Sequence, residues 1–285
     1  MIQTKILIKM SIFTQFFFSI HTMRLFQFFQ KAIVFFMSLF NKKSQTDELQ
    51  IKPDDTVDID DSSSVDDSFD EPEINHNDKE NLKIVNKFLP DNCFTKVNTK
   101  KTRICLHHTV SSPFSIDGDV ATFMSQRNIA THYLISGDGV VYQLIPDNFW
   151  AYHLGIQLAN NTQLNQETIG IEIDAWGQLK KSGNRYLTAY DSVLTTEFPV
   201  EILDVPFRGS LYYQEYSDAQ IDALFLLLKK LSVENQIPLN GLNKSLNFEL
   251  LNNFDNPGLY SHSNFREDKS DVYPAKKLIA MLKKL

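Results

Sequence analysis

Two histidines and an aspartate stand out in this chain, because their types and spacing suit a metal centre. The segment Leu106–Thr109 reads L-H-H-T, and the segment Ser261–Asp271 reads S-H-S-N-F-R-E-D-K-S-D. The second segment supplies His262, Asp271 nine positions later, and Lys269 two residues before that aspartate. Two imidazoles with one carboxylate are a common ligand set for a catalytic zinc ion, whose fourth position is left open for water.

The first histidine pair ends a short apolar run, Thr102–His108, which reads T-R-I-C-L-H-H. Such a run predicts a buried strand. Because side chains alternate along a strand, Cys105 and His107 should share one face, and Leu106 and His108 the other. A single strand therefore offers one of its two histidines to each side of a sheet.

The elements around this strand predict a layered fold. Ser217 is a plausible N-cap for the helix that follows it. In the last predicted strand, Glu172 and Asp174 share a face with Gly170. The turn tetrapeptide Ser136–Gly139, S-G-D-G, separates two paired strands. Strands are predicted over 131–136, 140–145 and 168–174, and helices over 120–128, 218–231 and 276–285. Strands covered by helices indicate a single α/β domain.

Composition divides the chain into three parts. Residues 1–43 are apolar and basic, with six Lys and Arg and no acid. Residues 44–80 hold 14 Asp and Glu against two Lys, a net of −12, which predicts a disordered acidic linker. Since the whole chain carries −7, residues 81–285 hold only about −1. These near-neutral residues form the predicted folded domain, and their charge argues against a nucleic-acid partner.

The N-terminal segment, residues 1–43, allows several readings. Residues 10–23 resemble the apolar core of a signal peptide but lack a small-residue cleavage site. The stretch Met23–Phe40 suits a helix lying at a membrane interface. Neither piece reaches the ~20 uncharged apolar residues of a membrane span. We expect export or membrane contact through this segment, with a start at Met23 as the alternative.

The two cysteines, Cys93 and Cys105, are too few for a disulfide framework, and we expect no bridge between them.

Five motifs, in this order, carry a resemblance to a known family. They are C-L-H-H-T-V, T-H-Y-L-I-S-G-D-G-V-V-Y-Q-L-I-P, W-A-Y-H-L-G, T-I-G-I-E-I-D and S-H-S-N-F-R-E-D-K-S-D, across roughly residues 100–274. The series resembles the zinc-dependent N-acetylmuramoyl-L-alanine amidase family, which includes amidase-type phage lysozymes and peptidoglycan recognition proteins. The resemblance implies a central mixed β-sheet flanked by helices, one Zn²⁺ ion, and cleavage of the amide between N-acetylmuramic acid and L-alanine of peptidoglycan.

The resemblance also assigns the metal ligands. They fall on His107, His262 and Asp271, with His108 left to a packing role. Asp268 is a rival carboxylate for the third position. Cys105 is a further alternative, since its predicted position on the His107 face would let a thiolate reach the metal.

Catalytic and substrate-binding roles follow in the same way. Glu172 matches the acid of the family's G-I-E motif and is the expected general base, with Asp174 as the alternative. Lys269 matches a lysine that stabilises the developing oxyanion. The expected substrate-binding residues are His153, Trp150 and Tyr152, the last standing where the family motif has Trp. Core packing is the equal alternative for Trp150. His132 is expected to pack or to support the site.

Two regions depart from the family pattern. The family's D-P-G after the last ligand is D-V-Y-P here, at Asp271–Pro274. The segment Trp176–Tyr216 is longer than in compact members, and we interpret it as a hairpin insertion over one end of the groove or as a packing flap.

These observations favour a peptidoglycan hydrolase, either a phage endolysin or a bacterial wall-turnover enzyme. The alternative is a non-catalytic peptidoglycan-binding module of the same fold. Asp271, Glu172 and Lys269 are all retained, which favours catalysis. The expected partners are peptidoglycan or soluble muropeptides, and we expect a monomer. The expected location is the cell envelope or the exterior, or the cytoplasm before lysis if a phage encodes the chain.

Overall fold

The computed structural model of this protein describes residues 82–285. The predicted N-terminal segment (1–43) and acidic linker (44–80) lie outside the described residues. Across residues 82–285, no helix combines the length and the apolar character needed to cross a membrane.

A six-stranded mixed sheet forms the centre of the described part, with strand order β1-β4-β3-β5-β2-β10. Only β3 and β4 run antiparallel, and the other neighbouring pairs are parallel. The strands are β1 (Ile84–Asn86), β2 (Arg103–His108), β3 (Tyr133–Ile135), β4 (Val141–Gln143), β5 (Thr168–Ile173) and β10 (Gly258–Ser261). The predicted α/β class and the mixed sheet flanked by helices are confirmed.

The neighbouring strands β2 and β5 are almost wholly buried, which is why both are apolar runs in the sequence. β2 pairs with β5 in a register that sets His107 beside Glu172. Neighbouring residues of paired strands project from the same face. The sheet therefore carries the imidazole and the carboxylate side by side.

Helices cover both faces. The helices are α1 (Ile116–Ser125), α2 (Asn161–Gln166), α3 (Asp218–Asn235), α4 (Leu242–Ser245), α5 (His262–Phe265) and α6 (Lys276–Leu282). α3 and α6 pack on the face that holds Ile104 and Leu106. α1 packs against Leu134 on the opposite face, which also carries Glu172 because the two residues are register partners. The site is thus built on the α1 face.

Ser217 caps α3 as predicted. Its hydroxyl accepts a hydrogen bond from the backbone N–H of Gln220, and the Gln220 side chain accepts one from the N–H of Ser217. This reciprocal capping box satisfies two backbone donors that the first turn would otherwise leave unpaired.

The segment 176–216 forms a four-stranded antiparallel sheet, with strand order β7-β6-β9-β8. Its strands are β6 (Gln178–Ser182), β7 (Arg185–Leu187), β8 (Val200–Phe207) and β9 (Ser210–Gln214). We call this segment the inserted sheet. Leu203, Phe207 and Tyr213 bury their side chains in the same core as α3 and α6. The insertion is therefore larger than the predicted hairpin, and it packs into the molecule.

Two helix boundaries differ clearly from the predicted ones. α3 ends at Asn235, four residues after its predicted end. α1 begins at Ile116, four residues before the predicted start, and ends at Ser125. Asp117 and Asp119 lie in its first turn, where carboxylates interact favourably with the helix dipole. Burial of Ile116 and Val120 against the sheet outweighs the low helix propensity of Gly118.

Candidate active site

Strand pairing brings the two candidate ligand histidines together. His107 is the fifth residue of β2, and His262 begins α5 directly after β10. Because β10 runs parallel to β2 with Ser261 opposite Leu106, His262 emerges beside His107. Their ring centroids lie 4.4 Å apart. Both side chains are buried.

Asp271 completes a three-residue cluster. Its Oδ2 atom lies 2.8 Å from Nδ1 of His262 and 3.2 Å from Nδ1 of His107. Asp271 is itself buried. One ligand atom from each of the three residues lies within 4.8 Å of the others. The structure therefore brings together the three residues that the family resemblance assigned to the metal.

The tautomer of His262 follows from its second nitrogen. Nε2 lies 3.0 Å from the backbone carbonyl oxygen of Leu154. A carbonyl oxygen can only accept, so Nε2 carries the proton and donates it. In the neutral ring Nδ1 is then an unprotonated lone pair, and it points at Asp271.

The tautomer of His107 is set through His153. Nε2 of His153 lies 3.4 Å from the carbonyl oxygen of Thr168, so it is the donor, and its Nδ1 is the acceptor. Nε2 of His107, 3.0 Å from that Nδ1, must therefore donate. Nδ1 of His107 is left as a second lone pair directed at Asp271. Such outer hydrogen bonds fix ring orientation in metal sites.

Three electron-pair donors consequently converge on one buried point, and only a cation or a shared proton makes this arrangement favourable. Burial and the neighbouring His262 lower the pKa of His107 to about 4, which disfavours a proton there. Burial alone would raise the pKa of Asp271, yet His262 and His107 hold it well below its usual value. Two imidazole nitrogens and one carboxylate oxygen match the donor set of zinc. The residues present fit the ion.

The alternative ligand Cys105 shares the His107 face, as predicted, and groups with His107 and His153. Burial, and then the charges of Asp271 and Glu172, raise the pKa of its thiol well above the usual value. Only the thiolate binds metal. The other rival, Asp268, is an exposed side chain held by two hydrogen bonds from Arg266. Asp271 is thus the better third ligand.

Glu172 lies next to this cluster on β5. Its Oε2 atom is buried, and no hydrogen-bond partner for it occurs within residues 82–285. Burial raises the pKa of the carboxyl well above its usual value, and the charge of Asp271 adds to the rise. A buried carboxyl oxygen without a partner is costly unless a ligand or water satisfies it. Glu172 has the properties expected of a general base or acid.

Lys269 lies in the short loop between α5 and Asp271, half-buried, with its charge near Glu172 and His107. The described part of the chain offers its ammonium group no ion pair. A lysine ammonium near the cluster of His107, His262 and Asp271, without a carboxylate partner among the described residues, can stabilise negative charge that develops on a substrate.

The predicted substrate-binding residues have distinct surroundings. Trp150 is 6% exposed, and its indole N–H has no acceptor among the described residues. Tyr152 lies edge-on to Trp150 and shares a hydrogen bond with the hydroxyl of Thr162. His153 is half-buried and holds His107 by a hydrogen bond. Their binding of substrate stays a prediction.

The remaining polar candidates form hydrogen bonds that hold the surrounding strands and loops in place. His132 accepts from the N–H of Gly170 and donates to the carbonyl of Phe149. His108 projects to the opposite face and pairs with the hydroxyl of Tyr216. Asp174 accepts hydrogen bonds from Thr109 and Ser111, which ties the loop after β2 to the end of β5.

Some supporting groups were missed by sequence reasoning. The carbonyls of Leu154 and Thr168 orient two histidine rings, but a backbone carbonyl has no residue-type signature. The histidine at position 153, within an aromatic segment, was the available signal for the contact with Thr168.

A known family profile covers most of the described residues. The profile of the family described as N-acetylmuramoyl-L-alanine amidase matches residues 98–275, more than half of the chain. The chain belongs to the N-acetylmuramoyl-L-alanine amidase family. The match contains every candidate ligand and catalytic residue of this amidase-family site.

Sequence identity between this chain and individual members of the amidase family is low. N-acetylmuramoyl-L-alanine amidase AmiD of Escherichia coli (strain K12) is 28% identical over 96 residues, which cover 31% of this chain and 33% of AmiD. The chain thus matches about a third of the length of that relative.

Solved structures similar to this one include PlyL, with 14% identity and a TM-score of 0.39 over 66% of this chain and 85% of that chain. Another is AmiD from E. coli in complex with the substrate anhydro-N-acetylmuramic acid-L-Ala-D-gamma-Glu-L-Lys. It has 22% identity and a TM-score of 0.34 over 50% of this chain and 48% of that chain.

Proposed function

We propose that this protein is a zinc-dependent N-acetylmuramoyl-L-alanine amidase that hydrolyses the amide bond between N-acetylmuramic acid and L-alanine. The observation that carries the proposal is the convergence of His107 Nδ1, His262 Nδ1 and Asp271 Oδ2, with tautomers set by outer hydrogen bonds. Membership of the amidase family supports the assignment of the bond that is cleaved.

The ligand set would hold one zinc ion, which when bound lowers the pKa of a water molecule to about 7. His107, His262 and Asp271 would hold the ion, and the Leu154 carbonyl and His153 fix the orientation of the two imidazoles. Their burial excludes bulk water from the donor atoms.

Glu172 is the proposed proton carrier. Its buried Oε2 atom accepts a proton from the attacking water and returns it to the nitrogen of L-alanine as the C–N bond breaks. Water adds across the bond, so the products are a lactyl carboxylate and a free amine. A carboxyl with a raised pKa suits both halves of this transfer.

Lys269 is the proposed oxyanion stabiliser. As the scissile carbonyl becomes tetrahedral, its oxygen gains negative charge. A lysine ammonium beside the cluster stabilises that charge, and it costs little reorganisation if it is already in place.

The proposed substrate is peptidoglycan or a soluble muropeptide, and the proposed location is the cell envelope or the exterior. Both rest on the amidase activity. A phage endolysin and a bacterial wall-turnover enzyme share this chemistry.

The test uses purified sacculi and metal analysis. We expect wild-type protein to carry one zinc per chain and to release peptides with N-terminal L-alanine, identified by mass spectrometry. His262→Ala should lose most of the zinc and the activity, because one of three protein ligands is gone. Zinc fully retained by His262→Ala would contradict the ligand assignment. Binding to sacculi without cleavage would support the recognition module instead.

A further inference from the structure

Arg208 occupies an unfavourable backbone conformation in the inserted sheet. Arg208 and Gly209 connect β8 to β9, and both have positive φ, 47° and 82°. Two residues with positive φ are typical of a type I′ hairpin turn, whose first position favours Asn, Asp or Gly. The Cβ atom of an arginine crowds the following carbonyl oxygen there, which costs conformational free energy.

The Arg208 side chain is also buried at a cost. It is 14% exposed, its nearest carboxylate is Glu249 at 3.3 Å, and Glu249 is itself 67% exposed. The guanidinium Nε is buried, and residues 82–285 provide it with no acceptor. Burying a charged group with incomplete partners is unfavourable. Two unfavourable features at one residue suggest that its side chain has a purpose.

Arg208 forms a hydrogen bond with the segment that carries the candidate metal ligand His262. Nη2 donates a hydrogen bond of 3.1 Å to the carbonyl oxygen of Ser263. Ser263 follows His262 in α5, and its N–H donates a 2.9 Å hydrogen bond to the carbonyl of Asp271. Ser263 therefore links Arg208 both to the segment that carries His262 and to the segment that carries Asp271.

The carbonyl groups of helix α5 find few partners within the helix itself. It is four residues long, so most of its carbonyls have no partner within the helix. His262 O accepts from the N–H of Arg266, and Asn264 O accepts from the N–H of Leu251. Ser263 O depends on the side chain of Arg208.

We propose that Arg208 is a positioning residue for the candidate metal centre, and that it acts by fixing the Ser263 backbone between His262 and Asp271. The inference rests on the proposed function, since it concerns the geometry of the zinc ligands. It gives the inserted sheet a role in metal binding, although none of its own side chains belongs to the ligand set.

The decisive variant is Arg208→Asn. Asparagine suits the positive φ of this turn, so the metal-free protein should melt at the same temperature or higher. The Ser263 carbonyl nevertheless loses its donor. We expect the Kd for zinc to rise about 10–100-fold, as for other groups that orient metal ligands. The measurement is chelator competition with the full-length metal-free protein, alongside its melting temperature.

Two further variants sharpen the test. Arg208→Lys keeps the charge and one donor, and should recover part of the zinc affinity. Arg185→Asn changes an exposed arginine of the same sheet, and should leave zinc affinity and melting temperature unchanged.

The outcomes separate a positioning role from a general contribution of Arg208 to stability. Unchanged zinc affinity in Arg208→Asn would overturn the proposal while leaving the amidase assignment intact. A weaker affinity accompanied by a matching loss of melting temperature would also overturn it, because general loosening would then suffice. Absence of zinc binding by the wild-type protein would remove both proposals.

Discussion

At the scale of single residues, the site consists of polar atoms that lack a full set of hydrogen-bond partners among the described residues and that face the same side of the sheet. His107 and His262 each use one nitrogen in the protein framework and direct the other at Asp271. Glu172 leaves one buried oxygen without a partner in the described residues. These open positions all lie on the α1 face of the sheet.

Glu172→Gln tests proton transfer. The amide keeps the size of the side chain but cannot accept a proton, so we expect turnover to fall about 10²–10⁴-fold. Zinc content should stay at the wild-type level, because Glu172 is outside the ligand set. Glu234→Gln, on the exposed side of α3, is the matched control and should be silent. Amidase activity near wild type in Glu172→Gln would transfer the role to another group.

Lys269→Met tests oxyanion stabilisation. The substitution removes the charge and keeps much of the length. We expect kcat to fall about 10²–10³-fold, equivalent to about 2.7–4 kcal/mol, with KM and zinc content little changed. Steady-state kinetics on a defined muropeptide measures this, with exposed Lys283→Met as control. A higher KM with unchanged kcat would instead indicate that Lys269 holds a substrate carboxylate.

At the scale of elements, two parallel pairings and one loop tie determine where the site residues lie. β2 is held between β5 and β10, which puts Glu172 on one side of His107 and His262 on the other. Asp174 then anchors the loop after β2 through Thr109, Ser111 and the N–H of Ser115.

Asp174→Asn tests this loop tie through the pH dependence of stability. Burial and the neighbouring Asp119 raise the pKa of Asp174 above its ordinary value. The folded protein therefore binds this proton more tightly than the unfolded chain, and stability falls as pH rises from about 4 through the raised pKa. We expect the melting temperature of Asp174→Asn to fall less than that of wild type between about pH 4 and about pH 8. Parallel curves, as expected for the control Asp222→Asn, would refute this.

Alternation and turn signals were sufficient to predict much of this arrangement. The opposite faces of His107 and His108, the strand carrying Glu172, and the cap at Ser217 all follow from local sequence and are confirmed. The strand β10 was missed, because Gly258–Ser261 is only four residues long and contains no alternation of apolar and polar residues. Its pairing with β2 is a long-range contact that local periodicity does not contain.

The inserted sheet shows a second limit of local patterns. Its strands alternate weakly, and β8 exposes Ile202 and Val205 to solvent. The contact of Arg208 with Ser263 joins residues far apart in the sequence. Neither composition nor spacing predicts such a contact.

At the scale of the whole molecule, the site lies among two apolar clusters on one face of the sheet. One contains α1 with Leu134 and Leu144, and the other contains Leu154, Tyr260 and Phe265. β2, the strand that carries His107, contributes Cys105 to the second cluster. Packed walls of this kind keep a catalytic geometry rigid.

A shortened chain beginning at Asn81 tests the predicted domain organisation. The −12 charge of residues 44–80 predicts a tether that contributes nothing to the fold. We expect the shortened protein to match the full chain in melting temperature, zinc content and activity on soluble muropeptides. An insoluble or inactive product would mean that the first 80 residues belong to the folded unit.

The two free cysteines can report local opening of the folded structure through their reaction with a thiol reagent. Cys93 and Cys105 are each 0% exposed, and the sequence contains no others. A maleimide should therefore react only when the structure opens, at a rate set by the local opening equilibrium. Cys105 lies two residues before His107 on the same strand face, whereas Cys93 lies in the cluster beneath α1. Comparing the labelling rates of the two thiols, with and without zinc, would show which wall of the site the metal holds closed.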